Sequence, residues 1–411
     1  MNFELFISKR ISKALFNENN VSTRIIKIAI AAIAIGITII LISISTGFGL
    51  QSEIKKKLTT LSGDLKISFY DNNNSYISVK PINLLQINRE KWYDSKKIEH
   101  FYTYVNKAVL FKNLEKFDGG ILKGIDSSFP LDNFKNYLID GRFLDINKSE
   151  SLEIIISSQT SKKLGLKVGD FVNSFFYDFS KSKFPKKRSF QVVGVYNTGY
   201  GDFDENFSFT NIKVLQKING WKSYEVGGIE LVIKNQFKAS KFKEIVYNFL
   251  PPNIDVQSVE ELHSGIFNWI SMFDFNILVI LIVVVFVGIL NITIAIIILV
   301  IEKSKLIGMM KIFGTSTRKI RRIFLIVTLN IVVKGLIIGN IVGLIMIYLQ
   351  QKFNLIELDP VNYFVNKVPV EISIPNIVGV NFLIIIFSIL AFFIPMLLIS
   401  KMEIIKVLKI K

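Results

Sequence analysis

Four long apolar runs divide this chain, and their spacing is uneven. Ile28–Phe48 forms the first, and a mostly polar stretch, residues 49–273, follows it. Phe275–Ile301, Ile323–Tyr348 and Ile377–Ile399 are then crowded into the C-terminal third. A helix rises 1.5 Å per residue, so about 20 apolar residues cross a hydrocarbon core of about 30 Å. Each run reaches that length. The pattern predicts a membrane protein of four transmembrane α-helices in a 1 + 3 layout, at 25–48, 274–301, 323–349 and 377–400. A large α/β (α+β) domain, 49–273, is inserted between helices 1 and 2.

Inside the insert the period shortens. Leu65–Tyr70, Tyr102–Phe111, Glu153–Ser157, Phe171–Tyr177, Phe190–Tyr196 and Ile229–Ile233 read as strands, punctuated by Gly141, Gly165, Gly169, Gly194 and Gly199. Ser240–Leu250 has helical spacing and stops at Pro251-Pro252. Two subdomains are expected, one from the two ends of the insert and one from its middle, about 116–226. From Ser258 to Trp269 a helical pattern runs on without a strong breaker, which predicts that the second span projects above the membrane as one long helix. Near the N-terminus (segment 1–24), Phe3, Ile7, Ile11, Ala14 and Leu15 share a helical face, as in an interfacial helix on the inner leaflet; a frayed tail is the alternative.

Charge orients the layout. The formal net charge is +17, and three segments carry twelve of it: the first 27 residues, the loop 302–322 and the tail 401–411. With four spans these segments share one side, and the positive-inside rule makes that side the cytoplasm. The loop 350–376 is nearly neutral, as an outside loop should be. The insert is therefore expected in the periplasm, with both termini cytoplasmic. The placement of the charge also argues against nucleic acid. The chain has no cysteine, so neither disulfides nor thiol chemistry enter. The first run is too long for a signal-peptide core and reads as a signal anchor.

Catalytic patterns are absent from the sequence. His100 and His263 lie far apart and read as structural or solvated groups. Asp202, Asp204 and Glu205 sit in a glycine-flanked loop, where a solvated turn is favoured over a cation site. No phosphate loop of the G-x-x-x-x-G-K-[ST] type occurs, so this chain is expected to bind no cofactor and not to be an enzyme. Polar positions inside the spans carry more information. Lys334, one turn after Asn330, falls near the middle of the third span, where a charge costs at least about 3 kcal/mol. It either faces an interior or partner surface, or snorkels. Gly335, Gly339 and Gly343 recur every four residues and predict a close helix-packing face, with Asn291 and Thr293 as further hydrogen-bonding positions.

The loop 302–322 is short, basic and amphipathic. Glu302, Lys303, Lys305 and Lys311 supply charge; Leu306, Met309, Met310 and Phe313 share a face; Gly314 ends the pattern, and Thr315–Thr317 offers a cap. Such a helix either lies on headgroups or docks into a cytoplasmic subunit.

At this loop the chain resembles a known family. Asn291-Ile-Thr followed by Ile301-Glu-Lys-Ser-Lys-Leu-Ile-Gly-Met-Met-Lys-Ile-Phe-Gly314 resembles the signature of FtsX/MacB-type ABC permeases. Ser43–Phe48, Gly141-Arg-Phe, Leu164–Asp170, Phe190–Gly199, Asp359–Phe364, Val368-Pro-Val370 and Lys401–Leu408 resemble the lipoprotein-releasing LolC/LolE group in order and spacing. Ser304 and Lys305 depart from it, standing where the family usually has an acidic residue. The resemblance implies a bacterial inner-membrane complex of two permeases, a homodimer or heterodimer, with a cytoplasmic ABC ATPase that uses ATP and Mg. Its substrate would be a lipoprotein, handed to a periplasmic lipoprotein carrier. A MacB-type export permease and an FtsX-type transducer that activates cell-wall hydrolases are the alternatives.

Overall fold

A computed structural model describes residues 3–17, 21–71, 76–88, 90, 97–146, 151–177, 184–234, 239–359 and 363–401. Asn72–Asn74 and the closing motif after Lys401 lie outside these. Two helices, α1 (Phe3–Asn17) and α2 (Val21–Ser62), open the chain. The insert runs β1 (Leu65–Phe69), β2 (Ile82–Asn83), β3 (Ile98–Asn113), β4 (Lys116–Ile125), α3 (Leu131–Lys135), β5 (Leu138–Gly141), β6 (Glu153–Ser157), α4 (Ser158–Leu164), β7 (Phe171–Phe176) and β8 (Lys186–Tyr196). It continues through α5 (Gly201–Asn206), β9 (Phe207–Asn211), α6 (Ile212–Asn219), β10 (Glu225–Val226), β11 (Gly228–Ile233), α7 (Ala239–Tyr247), β12 (Ile254–Ser258) and α8 (Val259–Leu262). Among the described residues that follow, the helices are α9 (Ser264–Glu302), α10 (Ser304–Ile312), α11 (Thr317–Phe353), α12 (Ile374–Ala391) and α13 (Phe393–Lys401). Residues 1–51, 269–357 and 368–411 form one compact unit, and 52–268 with 358–367 form the other.

The first unit holds four helices long and apolar enough to cross a membrane. Helices α2, α9 and α11 have 42, 39 and 37 residues, about 55–63 Å each at the helical rise and so well beyond a hydrocarbon core. In lipid the tails are as apolar as leucine, so helices associate through close packing and hydrogen bonds. Helix α2 is the packing partner here. A Cβ on Gly335 of α11 would lie 2.7 Å from the Ile33 side chain, and one on Gly339 would lie 2.6 Å from the Ala34 carbonyl oxygen. Gly343 abuts Leu41 in the same way. The Thr38 hydroxyl donates to the Gly339 carbonyl at 3.1 Å across this seam. On α2 itself, Gly36 and Gly47 give room to Val284 and Ile277 of α9.

The fourth span is two helices in series. Pro395 lacks an N–H and its ring crowds the carbonyl four residues back, at Ala391, where α12 ends. Asn340 of α11 and Asn381 of α12 exchange reciprocal amide hydrogen bonds of 2.7 and 3.0 Å. Along α1, Ser8 and Ile11 are buried and Ile7 packs beside them, while Phe3 stays exposed. The inward stripe is thus narrower than the sequence face, and the side chains of Ala14 and Leu15 lie outside the description.

In the second unit ten strands form one sheet in the order β12-β1-β11-β3-β4-β9-β6-β8-β5, with β7 bridging β3 and β8, and β2 pairs with β10 in a separate two-stranded sheet. The middle segment and both ends of the insert meet on it at β3. The six expected strands are present, several longer than expected. Two were missed. Strand β4 carries Gly119 and Gly120, and a Cβ on Gly120 would meet the Asn206 carbonyl at 2.9 Å. Strand β9 is short and pairs parallel to β4, a contact set by tertiary structure. The helical pattern before the second span is interrupted: α8 is a separate turn with a Ser258–Glu261 capping box, and His263 leaves helical geometry before α9 begins. From the loop between α11 and α12, the Phe364 carbonyl accepts from Lys57 Nζ at 2.6 Å and the Phe364 ring meets Tyr200 edge-on.

Strand alternation divides the sheet. Leu65, Ile67, Val105, Leu122, Ile229 and Leu231 enter the main apolar core. The opposite face carries a polar row across four strands, because the register sets Lys66 opposite Glu230, Glu230 opposite Tyr102, and Asn106 opposite Lys123. This row is buried as well. Lys123 Nζ donates to both Glu230 carboxylate oxygens at 2.8 and 2.7 Å.

Two outcomes follow for the full chain in detergent. Gly339→Val forces its new side chain into Ala34 and Ile37 and should lower stability by about 1–3 kcal/mol, read as a fall in thermal midpoint, whereas Ile338→Val on the exposed face should change little. Glu230→Leu strands the Lys123 ammonium and should cost about 3–5 kcal/mol, with much of the loss recovered in the Glu230→Leu, Lys123→Met double variant. A double variant no more stable than the single one would show that the pair does not act as a unit.

Candidate coupling segment

The segment 302–322 folds as a helix–turn–helix corner. Helix α9 ends at Glu302, whose carboxylate pairs with Lys303 at 2.9 Å. Lys303 leaves helical geometry, and α10 starts at Ser304. At the far end Gly314 has a φ of +79°, a left-handed conformation that costs glycine nothing. The Gly314 N–H donates to the Lys311 carbonyl at 3.0 Å and the Thr315 N–H to the Met310 carbonyl at 2.9 Å, the paired closure of a Schellman motif. Ser316 then stands at the N-cap of α11 without a side-chain cap bond.

The apolar face is rotated from the one read in the sequence. Ile307 and Met310 are buried with Ile320, Ile323 and Phe324, and Leu306 packs beside them. Met309 is 45% exposed and Phe313 is 86% exposed, with Ile312 between them at 55%. The four residues expected to act together therefore divide: Leu306 and Met310 hold α10 to α11, and Met309 and Phe313 face outward. Ile307 takes the inward place because tertiary packing centres the buried arc between positions 307 and 310. Lys305 is exposed beside the outward edge, and Lys311 is half-buried.

Of the intramembrane candidates, Gly335, Gly339 and Gly343 lie against α2. Lys334 is on the outward face of α11, adjacent to but off the glycine seam. Asn330 is exposed, its amide 3.5 Å from the Ser12 hydroxyl on α1. Asn291 is half-buried, and Thr293 is buried. The Asn340–Asn381 pair was missed, since nothing in one chain's pattern tells which two asparagines on separate spans will meet.

The acidic loop is neither a solvated turn nor a convergent cluster. Asp204 is buried and accepts from the Thr198 hydroxyl at 2.7 Å and from the Thr198 and Gly199 amides at 3.0–3.1 Å. Burial pushes its carboxyl above the usual range, those bonds opposing the shift. Glu205 turns away to Lys163 at 2.8 Å, and Asp202 is exposed. His263 is buried against Tyr200, and burial followed by the Lys66 charge lowers its pKa. His100 is on β3, 3.8 Å from Glu99. Among the described residues no His/Cys/Asp/Glu group is placed to hold a metal ion. The other motif residues are structural: Arg142 makes a two-point contact to Glu153 at 2.6 and 3.1 Å, and Gly141 and Gly194 let β5 and β8 approach closely.

Comparison with known proteins agrees with this layout. The MacB-like periplasmic core domain matches residues 28–247, more than half of the chain, and the FtsX-like permease C-terminal domain matches residues 278–404. The lipoprotein-releasing system transmembrane protein LolC of Buchnera aphidicola subsp. Schizaphis graminum is 26% identical over 310 residues, 73% of this chain and 74% of that one. LolC of Neisseria meningitidis serogroup B is 22% identical over 346 residues, 80% of each chain. The periplasmic region of MacB from Actinobacillus actinomycetemcomitans aligns with a TM-score of 0.36 and 15% identity over 50% of this chain and 92% of that one. The chain belongs to the family of ABC-type membrane permeases that carry a MacB-like periplasmic core domain after the first helix and an FtsX-like permease domain at the C-terminus.

Proposed function

We propose that this chain is the permease subunit of an inner-membrane complex that releases lipoproteins. The observation that carries the reading is the similarity to two LolC proteins over 73–80% of the chain, insert and spans together. In this reading a cytoplasmic ABC ATPase holds ATP and Mg, and two permease copies pair in the membrane. The termini and the segment 302–322 are cytoplasmic, and the insert is periplasmic, where it hands the lipoprotein to a soluble carrier. Helix α10 is the docking element. Its outward edge, Met309, Ile312 and Phe313, offers an ATPase groove apolar area, and Lys303, Lys305 and Lys311 set the charge around it. A second reading, export of another substrate, draws on the MacB-like model matched by the insert.

Reconstitution with the cognate ATPase and a fluorescent lipoprotein separates these readings. ATP-dependent transfer to the soluble carrier is expected; its absence, with cell-wall hydrolase activation or export of an unacylated substrate instead, would overturn lipoprotein release. Phe313→Ala should weaken ATPase co-purification about tenfold, about 1.4 kcal/mol, while leaving the thermal midpoint of the permease unchanged. Reversal of Lys303, Lys305 and Lys311 to Glu should act in the same direction. Unaltered co-purification in both variants would remove α10 from the docking surface.

A further inference from the structure

The buried polar row ends at a cavity of about 210 Å³ inside the insert, bordered by Lys66, Asn106, Lys123, Glu230, Tyr200 and His263. A protein interior this polar keeps its groups paired, since an unsatisfied buried donor or acceptor costs about 1–3 kcal/mol. Here the pairing is incomplete. The Glu230 carboxylate is taken up by Lys123, which binds both of its oxygens and also donates to the Leu61 carbonyl at 3.3 Å. Lys66, only 9% exposed, is left over: among the described residues no hydrogen bond or ion pair reaches its ammonium, which lies over the faces of Tyr76 and Tyr104 at 5.8 and 5.7 Å and feels Glu230 only at longer range. The Asn106 amide is fixed by donating to the Tyr76 carbonyl at 2.8 Å, and its Oδ1 is buried with no donor.

The cavity therefore holds an ammonium that no carboxylate contacts directly. We propose that it binds a small oxyanion, the chemistry of a phosphate group. One oxygen takes the Lys66 ammonium, and Lys123, which also borders the cavity, adds positive charge beside it. The Glu230 carboxylate forbids a fully deprotonated, multiply charged ligand at close range and favours the protonated monoanion. Asp202 borders the mouth of the cavity but is exposed, and the charges that act on Lys66 are those of Glu230 and Lys123. Burial lowers the Lys66 pKa, and a bound anion offsets that burden. The volume admits a phosphate group with water beside it. It would equally admit a glycerol phosphate, so free phosphate and a lipid headgroup share the same recognition chemistry. The inference does not depend on which substrate the permease moves.

The test uses the full chain in detergent, at constant ionic strength in sodium chloride. Inorganic phosphate and glycerol phosphate are titrated separately while ³¹P line width and the thermal midpoint are followed. Saturable broadening with a matching rise in midpoint is expected for the native chain. Both should be lost in Lys66→Met, which removes the unpaired charge and should fold at least as stably. Lys66→Arg should retain binding. Tighter binding of glycerol phosphate assigns the site to a headgroup, and equal or tighter binding of inorganic phosphate assigns it to the free ion. Broadening absent from the native chain, or unchanged in Lys66→Met, would overturn the proposal.

Discussion

The membrane unit depends on how closely α2 approaches α11. Hydrocarbon gives two helices no hydrophobic reason to meet, so the stabilisation comes from short contacts along backbones that glycine leaves bare. Gly335, Gly339 and Gly343 present that surface, and Ile33, Ala34, Ile37 and Leu41 fill it. Neighbouring features follow from this seam. Thr38 is drawn within reach of the Gly339 carbonyl, and Asn340, the next residue, is turned toward α12, where it finds Asn381. A single helix thereby packs against α2 on one side and binds α12 through paired amides on the next.

The insert answers the opposite problem. Water surrounds it, so its apolar strand faces collapse into a core without difficulty. The constraint there is the second face of the sheet, which is polar and yet covered. Lys123 and Glu230 resolve most of the cost by pairing with each other at short range. Lys66 and Asn106 do not, and the cavity beside them is the physical consequence. A well-packed apolar row would have been cheaper, so the surviving polar groups mark a place where stability was not the only constraint.

Hydropathy made the four spans legible, because spanning length is a property of the chain by itself. The strand pattern was legible wherever one face meets the core, as at Glu153–Ser157. It failed at β4, where Gly120 serves close backbone approach, and at β9, whose parallel partner lies far away in sequence. Lys66 and Lys123 were invisible for a related reason: in an alternating strand a lysine reads as the residue facing water, and only tertiary structure reveals that this side is closed. The coupling segment was half legible. Its helix and its terminating Gly314 were clear, but the rotation that buries Ile307 and turns Phe313 outward is set by the base of α11.

That rotation bears on how the segment can act. Were Leu306, Met309, Met310 and Phe313 all directed outward, α10 would be a loose amphipathic strip between two spans, free to slide without moving either. With Ile307 and Met310 locked against Ile320, Ile323 and Phe324, and with both ends of the turn closed by Glu302–Lys303 and the Gly314 motif, α10 is continuous in packing with α11. Ile307 and Met310 thus tie α10 to the base of α11. Close packing then leaves it no slack, since the glycine seam couples α11 to α2 at van der Waals contact. If this corner is the docking surface proposed above, a force on it would reach both α11 and α2 through these packed contacts.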